Sequence, residues 1–243
     1  MAENNTLYHY CSMQTAIEYI LPELRLLLNP MGNTNDPREN KSFSFAISGL
    51  GSEENIWKVN REISDEIRRG CKILCFAQDY NGLKGYEYSR LWALYGQNHK
   101  GVCLEINGDD FLLENQDKID ENKFKAIEYE NASKTNRLPN VDYNLIKTLG
   151  IGRYVREHLR EEYMDYFYFR KNDEWHSENE KRLLHYCYTT DNVYCSIRKS
   201  LRRVILGVDF NELYNPSIRS LIPNIEIKKA SYWSRRISLG DIK

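Results

Sequence analysis

The chain has 243 residues and a formal net charge of −1, so it is long enough to bury a substantial core without disulfides and carries no global charge for nucleic acid or acidic lipid. Its 6 cysteines form no C-x-x-C pair, which argues against zinc fingers and against a disulfide framework. The start, MAENNTLYHY, shows no basic stretch followed by an apolar one, and no run nears the ~20 apolar residues of a membrane span; a cytoplasmic protein with no membrane partner is expected.

LYHYCS reads as a short strand, followed by the helix MQTAIEYIL, capped by Ser12, with Ala16, Ile17 and Ile20 on one face. ELRLLLN is the next strand. It runs into the polar loop NPMGNTNDPRE, where Asn35-Asp36-Pro37 favours a turn and Asp36 or Asn35 caps the chain from Arg38 onward. The spacing predicts a helix over 52–69, with Ser52 as cap, Glu53 and Glu54 in its first turn, Arg68 and Arg69 in its last, and Gly70 closing it. Ile56, Val59, Ile63 and Ile67 form its buried stripe. CKILCFA is a buried strand, 86–96 a compact aromatic helix, and VCLEI and FKAIEYE are further strands. A helix over 152–170 puts Tyr154, Val155, Leu159, Tyr163 and Tyr166 on one side. WHSENEKRLLHYCY and RRVILGVDF come next as strands, NELYNPSIRSLI as a helix and IEIKKA as a last strand. ASKTNRLPN reads as a loop within one domain spanning 1–243. Helices and strands mix without strict alternation, which predicts an α+β fold rather than a doubly wound parallel sheet.

Four places concentrate polar residues at strand ends and loops, where sites usually lie on a rigid scaffold. His9 sits in an aromatic strand, where a histidine is more often structural than catalytic. The NTNDPRE loop is the second, and a plain turn explains it as well. In LWALYGQNHKG, Trp92 and Tyr95 share a helical face and His99 lies just past the helix end. Most such stripes are core, but Tyr95 in the last turn can reach a pocket. Fourth, WHSENEKR read as a strand points Glu178, Glu180 and Arg182 to one face, a row that reads first as a wet face with Arg182 paired to a glutamate. No GxGxxG, P-loop, HExxH or G-x-S-x-G occurs. A metal-dependent nuclease would use Asp36, Glu39, Glu178 and Glu180, or Asp209 at a strand end with Glu226-x-Lys228. A third class is a non-catalytic module that binds a nucleotide or a partner.

In series, LYHYCS, LRLLLNPMGNTNDPRE, ILCFAQD, LWALYGQNHKGVCLEI, EWHSENEKRLL and LRRVILG resemble, along nearly the whole chain, a bacterial family known as domain of unknown function 2971. Its members show a YHYTS start, an NDPFE loop, a CFS strand, an LWSHYA…HKG segment, a W-x-x-E-x-E-R strand and a late VILG. This chain departs at Arg38, where the family has an aromatic residue, and at Ala93-Leu94, where it has a polar pair. An extra residue in ENEKR leaves open which glutamate matches the family acid.

More distantly, the arrangement is similar to ADP-ribosyltransferases, in which a histidine on the first strand, a mid-chain tyrosine and a late glutamate surround NAD⁺. That resemblance implies small split sheets with flanking helices around a cleft, NAD⁺ as substrate with no metal, and an unidentified acceptor. A regulator or partner protein is also implied, with nucleic acid only as a target. By position, His9 would bond a ribose hydroxyl, Tyr95 would stack on nicotinamide, and Glu178 or Glu180 would bind the nicotinamide ribose. Tyr10, Asn35, Asp36, Glu39, Trp92, His99 and Arg182 would complete the cofactor site. Enzymes of that kind serve bacteria as toxins or in defence against phage.

Overall fold

In the computed structural model, residues 5–41, 43–131, 138–234 and 236–242 are described, and most of the strand-forming sequence gathers in one nine-stranded sheet. Its order runs Arg236–Asp241, Glu226–Trp233, Leu201–Leu206, Val102–Asn107, Thr6–Cys11, Cys71–Gln78, Glu180–Tyr186 and Phe124–Ala126, with Asn29–Pro30 also joined to the Cys71 strand. Its pairings are antiparallel except that of Leu201–Leu206 with Glu226–Trp233. Three two-stranded sheets accompany it among the described residues. With helices and turns interspersed, the fold is mixed α and β. No helix among the described residues is long and apolar enough to cross a membrane.

Alternation along the strands feeds opposite faces of the sheet. Leu74, Phe76 and Leu183 enter one apolar cluster with Leu7, Leu104 and Val204. Ile73 and Leu184 enter another with Ile63, Ile67, Tyr154 and Phe167. Tyr8, Tyr10, Trp92 and Ile205 form a third.

One joint of the sheet is short. Thr6–Cys11 makes six residue pairs with Val102–Asn107, and Cys71–Gln78 makes seven with Glu180–Tyr186. Between Thr6–Cys11 and Cys71–Gln78 there are two, Leu7 with Gln78 and Tyr8 with Ala77. Beyond Tyr8 the two strands part. Backbone groups in such a gap still need partners, and the His9 ring supplies one, its Nδ1 lying 3.0 Å from the Cys75 carbonyl oxygen.

Several elements differ from the sequence expectation for local reasons. Asn55, not Ser52, caps the helix Ile56–Arg68, its side chain accepting from the Trp57 and Lys58 backbone N–H groups at 3.0 and 3.2 Å. Glu53 and Glu54 therefore precede the helix, and Ile56, 44% exposed, drops out of the buried stripe. Gly70 does turn the chain, at φ 68°. The aromatic segment is a 3-10 turn, Gly85–Glu87, and a helix, Ser89–Leu94. The long helix is broken into Ile151–Tyr154, a π turn Val155–Leu159 and Met164–Tyr168, so burial falls on Phe167 and Tyr168 instead of Tyr163 and Tyr166. FKAIEYE splits at Ile127, and Glu128–Glu130 pairs with Arg170–Asn172 outside the main sheet. The last strand runs to Trp233 and turns back as the unforeseen hairpin partner Arg236–Asp241. Of ASKTNRLPN, residues 132–137 lie outside the described residues.

The largest departure is in WHSENEKR. Asp173–Glu178 is a 3-10 turn, Asn179 is left-handed at φ 41°, and the strand starts only at Glu180. Asparagine tolerates that conformation, and its side-chain amide donates to the Gln78 and Asp79 carbonyls at 3.1 and 3.3 Å. Glu178 is therefore not part of a period-two row with Glu180 and Arg182. Nor is the row wet: Glu178, Glu180 and Arg182 are 4, 5 and 0% exposed.

Candidate active site

The parting of Thr6–Cys11 from Cys71–Gln78 coincides with a cavity of about 480 Å³, within the ~300–1,000 Å³ range of small-molecule sites. Ile73, Leu74 and Phe76 give it an apolar part, Ser12 and Asn35 neutral polar groups, and Lys171, Glu178, Glu180 and Arg182 an ionic wall. His9 and Tyr95 also line it.

The ionic wall is a chain of contacts from five separate elements. Tyr95, at the C-cap of Ser89–Leu94, donates its hydroxyl to Glu178 Oε1 at 2.7 Å. Lys171, in the strand Arg170–Asn172, places its ammonium 2.8 Å from Glu178 Oε2 and 2.6 Å from Glu180 Oε2. Arg182 donates through Nε to Glu180 Oε1 at 2.7 Å. Its Nη1 donates to Glu39 Oε1 at 2.5 Å and to the Tyr168 carbonyl at 2.8 Å. The Glu180 backbone N–H donates to the Tyr129 hydroxyl at 2.9 Å, which fixes the start of the strand.

Charge and burial compete along this chain. Burial disfavours the Glu180 carboxylate, but Arg182 and Lys171 outweigh it and hold its pKa at about 2. Burial likewise works against the Lys171 ammonium, yet Glu180 above all keeps its pKa well above the ordinary value. Burial, followed by the Glu178 charge, pushes the Tyr95 hydroxyl up, so it stays protonated and donates. Burial lowers the His9 pKa, against a smaller effect of the Cys75 bond, and the ring is neutral at pH 7. Because a carbonyl oxygen only accepts, Nδ1 carries the proton and Nε2 keeps a lone pair for a hydroxyl donor.

The cavity thus gathers His9, Asn35, Tyr95, Glu178, Glu180 and Arg182. Tyr10 is also at its wall, but its hydroxyl donates to the Gly85 carbonyl at 2.6 Å and its ring packs edge-on against Trp92. Asp36 and Glu39 lie behind it. Asp36 caps Pro37–Asn40 through the Arg38 N–H at 2.8 Å, and Glu39 reaches Arg182. Burial raises the Asp36 pKa, opposed in part by that Arg38 bond. Trp92 and His99 are not among the described cavity-lining residues. The Trp92 ring is core, fully buried, with its N–H donating to the Tyr86 carbonyl at 2.8 Å. His99 is held in a left-handed turn at φ 65°, and its carbonyl accepts the Asp209 N–H at 3.0 Å.

Of the carboxylate sets a nuclease would use, the first gathers around Lys171 and Arg182 rather than around an open ion site. The Lys171 ammonium occupies the space between Glu178 and Glu180 that a divalent ion would need. Asp209 lies in an exposed turn past the strand end at Leu206, and Glu226 and Lys228 are engaged by Arg203 and Asp241. Among the described residues, no group of three or more His, Cys, Asp or Glu is disposed to hold a metal ion.

Lys171 is the site residue that sequence reasoning missed. It comes just after the aromatic run YFYF with nothing in its neighbours to mark it. Only the three-residue strand that pairs it with Tyr129 turns it inward.

Residues 91–183 match the family model described as Protein of unknown function (DUF2971). The match spans less than half of the chain, and includes Tyr95, Lys171, Glu178, Glu180 and Arg182 but not His9 or Asn35. No curated protein and no solved structure matches the chain.

Proposed function

We propose that the chain breaks the nicotinamide–ribose bond of NAD⁺, as an ADP-ribosyltransferase or an NAD⁺ glycohydrolase. The observation that carries this reading is the convergence of His9, Tyr95 and Glu178 on one cavity, with the Tyr95 hydroxyl 2.7 Å from the acid. Those three residue types are the ones the reaction asks for, and they come from a strand, a helix end and a turn far apart in the chain.

In this reading the neutral His9 accepts a hydrogen bond from a ribose hydroxyl through Nε2. The Tyr95 ring offers a flat face to nicotinamide, while its hydroxyl orients Glu178. As the bond breaks, nicotinamide leaves with the bonding pair and positive charge develops on the ribosyl carbon. The Glu178 carboxylate stabilises that charge, and such a group contributes on the order of 10²–10³ in rate. An acceptor nucleophile or water then adds to the carbon and loses its proton. Between the two glutamates, Glu178 is assigned this role because one of its oxygens faces the neutral Tyr95, whereas both oxygens of Glu180 are engaged by cations.

The test is nicotinamide release from NAD⁺ by the wild type, Glu178→Gln and Glu180→Gln, with and without EDTA. The expected result is release that persists in EDTA and falls by at least about 100-fold in Glu178→Gln. Absence of release together with absence of NAD⁺ binding overturns the reading. Binding of NAD⁺ without release would leave a non-catalytic module, a reading favoured by the Lys171 ammonium already sitting on Glu178.

A further inference from the structure

The ionic wall does not balance. Four carboxylates, Asp36, Glu39, Glu178 and Glu180, stand in or directly behind it, each no more than 5% exposed. They face two buried cations, Lys171 and Arg182. Two further cations stand outward of these: Arg38, half-buried with its guanidinium 5.3 Å from the centre of the Tyr166 ring, and Arg90, 5.4 Å from the centre of the Trp175 ring that Lys171 approaches from 5.6 Å. Among the buried groups of the wall, then, four carboxylates meet two cations, and the outer arginines are more solvated. Two buried oxygens of this set, Asp36 Oδ2 and Glu39 Oε2, accept no hydrogen bond, and on the donor side Arg182 Nη2 is likewise without a partner.

Neither cation of the described lining is free. Lys171 lies between Glu178 and Glu180, and Arg182 between Glu180 and Glu39. His9, Tyr95 and Cys75 add no charge, because burial lowers the imidazole and raises the hydroxyl and the thiol. A phosphate entering the cavity would meet neutral donors such as Ser12 and Asn35 and two cations already held by carboxylates, with Arg182 Nη2 buried, beside a surplus of buried carboxylate. A ligand cation would offset that surplus, and in a partly desolvated wall the attraction is far stronger than in water.

We propose that the cavity selects ligands bearing a positive charge and, within the NAD⁺ reading on which this second part rests, that it takes the pyridinium riboside half and leaves the pyrophosphate outside. The relevant chemical class is an N-substituted pyridinium, recognised by charge as well as by its flat ring. The selectivity comes from residues behind the wall as well as from those that touch the ligand.

The experiment compares 1-methylnicotinamide, a permanent pyridinium with no ribosyl bond to break, with neutral nicotinamide. Each is titrated into the full chain at pH 8 and low salt, with binding followed by ligand-observed NMR. The expected result is a preference for the cation of at least about tenfold, or 1.4 kcal/mol, that weakens as salt is added. Two variants sharpen it. Asp36→Asn removes one charge yet keeps the helix cap, since asparagine caps as well as aspartate, and Glu39→Gln removes another. Each is expected to reduce the preference by about twofold or more. Equal or tighter binding of nicotinamide, or no binding of either compound, overturns the proposal. Nicotinamide release from NAD⁺ reports separately on the catalytic reading. Release without cation preference would sink the inference alone, and cation preference without release would sink the catalytic reading and the riboside part that rests on it, leaving the charge selectivity.

Discussion

Arg182 and Arg203 are each bracketed by two glutamates on the same sheet. Arg182 pairs with Glu180 and Glu39 at 2.7 and 2.5 Å, and Arg203 with Glu226 and Glu105 at 2.6 and 3.0 Å. Each group also has a lysine at its flank, Lys171 in one and Lys228 in the other. The inventories match, but the surroundings do not. The Arg182 side chain is fully buried, whereas that of Arg203 is 28% exposed and its partner Glu226 45% exposed. Water screens the second group and leaves the first to the protein. Identical charge patterns can therefore make a cavity wall in one place and a solvated sheet face in another.

The sharpest way to break this comparison is to remove the central arginine from each. Arg182→Met leaves Glu39 and Glu180 buried with one cation fewer, and a loss of about 3–5 kcal/mol in unfolding free energy is expected. Arg203→Met should lose no more than about 1 kcal/mol. Urea denaturation of both variants beside the wild type checks this. Similar losses at the two positions would show that burial is not what separates them.

Acid should separate the two groups next. The folded-state pKa of Glu180 is about 2, below the ordinary value of 4.5. A carboxylate depressed in this way contributes stability that is fully present above its unfolded pKa and is lost as pH falls through the folded value. The expected window thus runs from about pH 4.5 down to about 2, with an amplitude on the order of 3 kcal/mol. In Glu180→Gln that arm of the stability curve should flatten. Glu226 is also depressed, by its Arg203 bond first, but it is exposed, so Glu226→Gln should leave the acid slope close to that of the wild type. Unfolding free energies measured between pH 2 and 6 decide the matter.

Much of the scaffold was legible because local signals carry it. The strand around His9, the CKILCFA strand and the VCLEI strand announce themselves as compact apolar runs. Tyr95 was readable as a residue in the last turn of a helix, and it stands at the C-cap. What failed were decisions taken in three dimensions. The turn that lifts Glu178 out of the strand depends on Asn179 bonding Gln78 and Asp79, residues 100 or more positions away. Period-two spacing says which residues share a face, but not whether that face is wet, so the burial of Glu180 and Arg182 was invisible. Lys171 has no signal at all, because its role exists only once two glutamates have been brought to it.

The smallest expected effect completes the contrast between the two groups. Lys228 lies 3.1 Å from Glu226 and 2.8 Å from Asp241, and the Asp241 side chain is 90% exposed. An ammonium so placed exchanges its carboxylate partners for water at little loss. Lys228→Ala should therefore leave the urea midpoint unchanged within error, and any shift seen at low salt should vanish near 0.5 M NaCl, where the screening length falls to roughly half its physiological value. Lys171→Ala, by contrast, strips the shared cation from Glu178 and Glu180 where solvent cannot replace it, and its larger loss should persist at the same salt. If salt erased both effects alike, the Lys171 contacts would have to be as solvated as those of Lys228, and the ionic wall of the cavity would lose the low-dielectric character on which its charge selectivity depends.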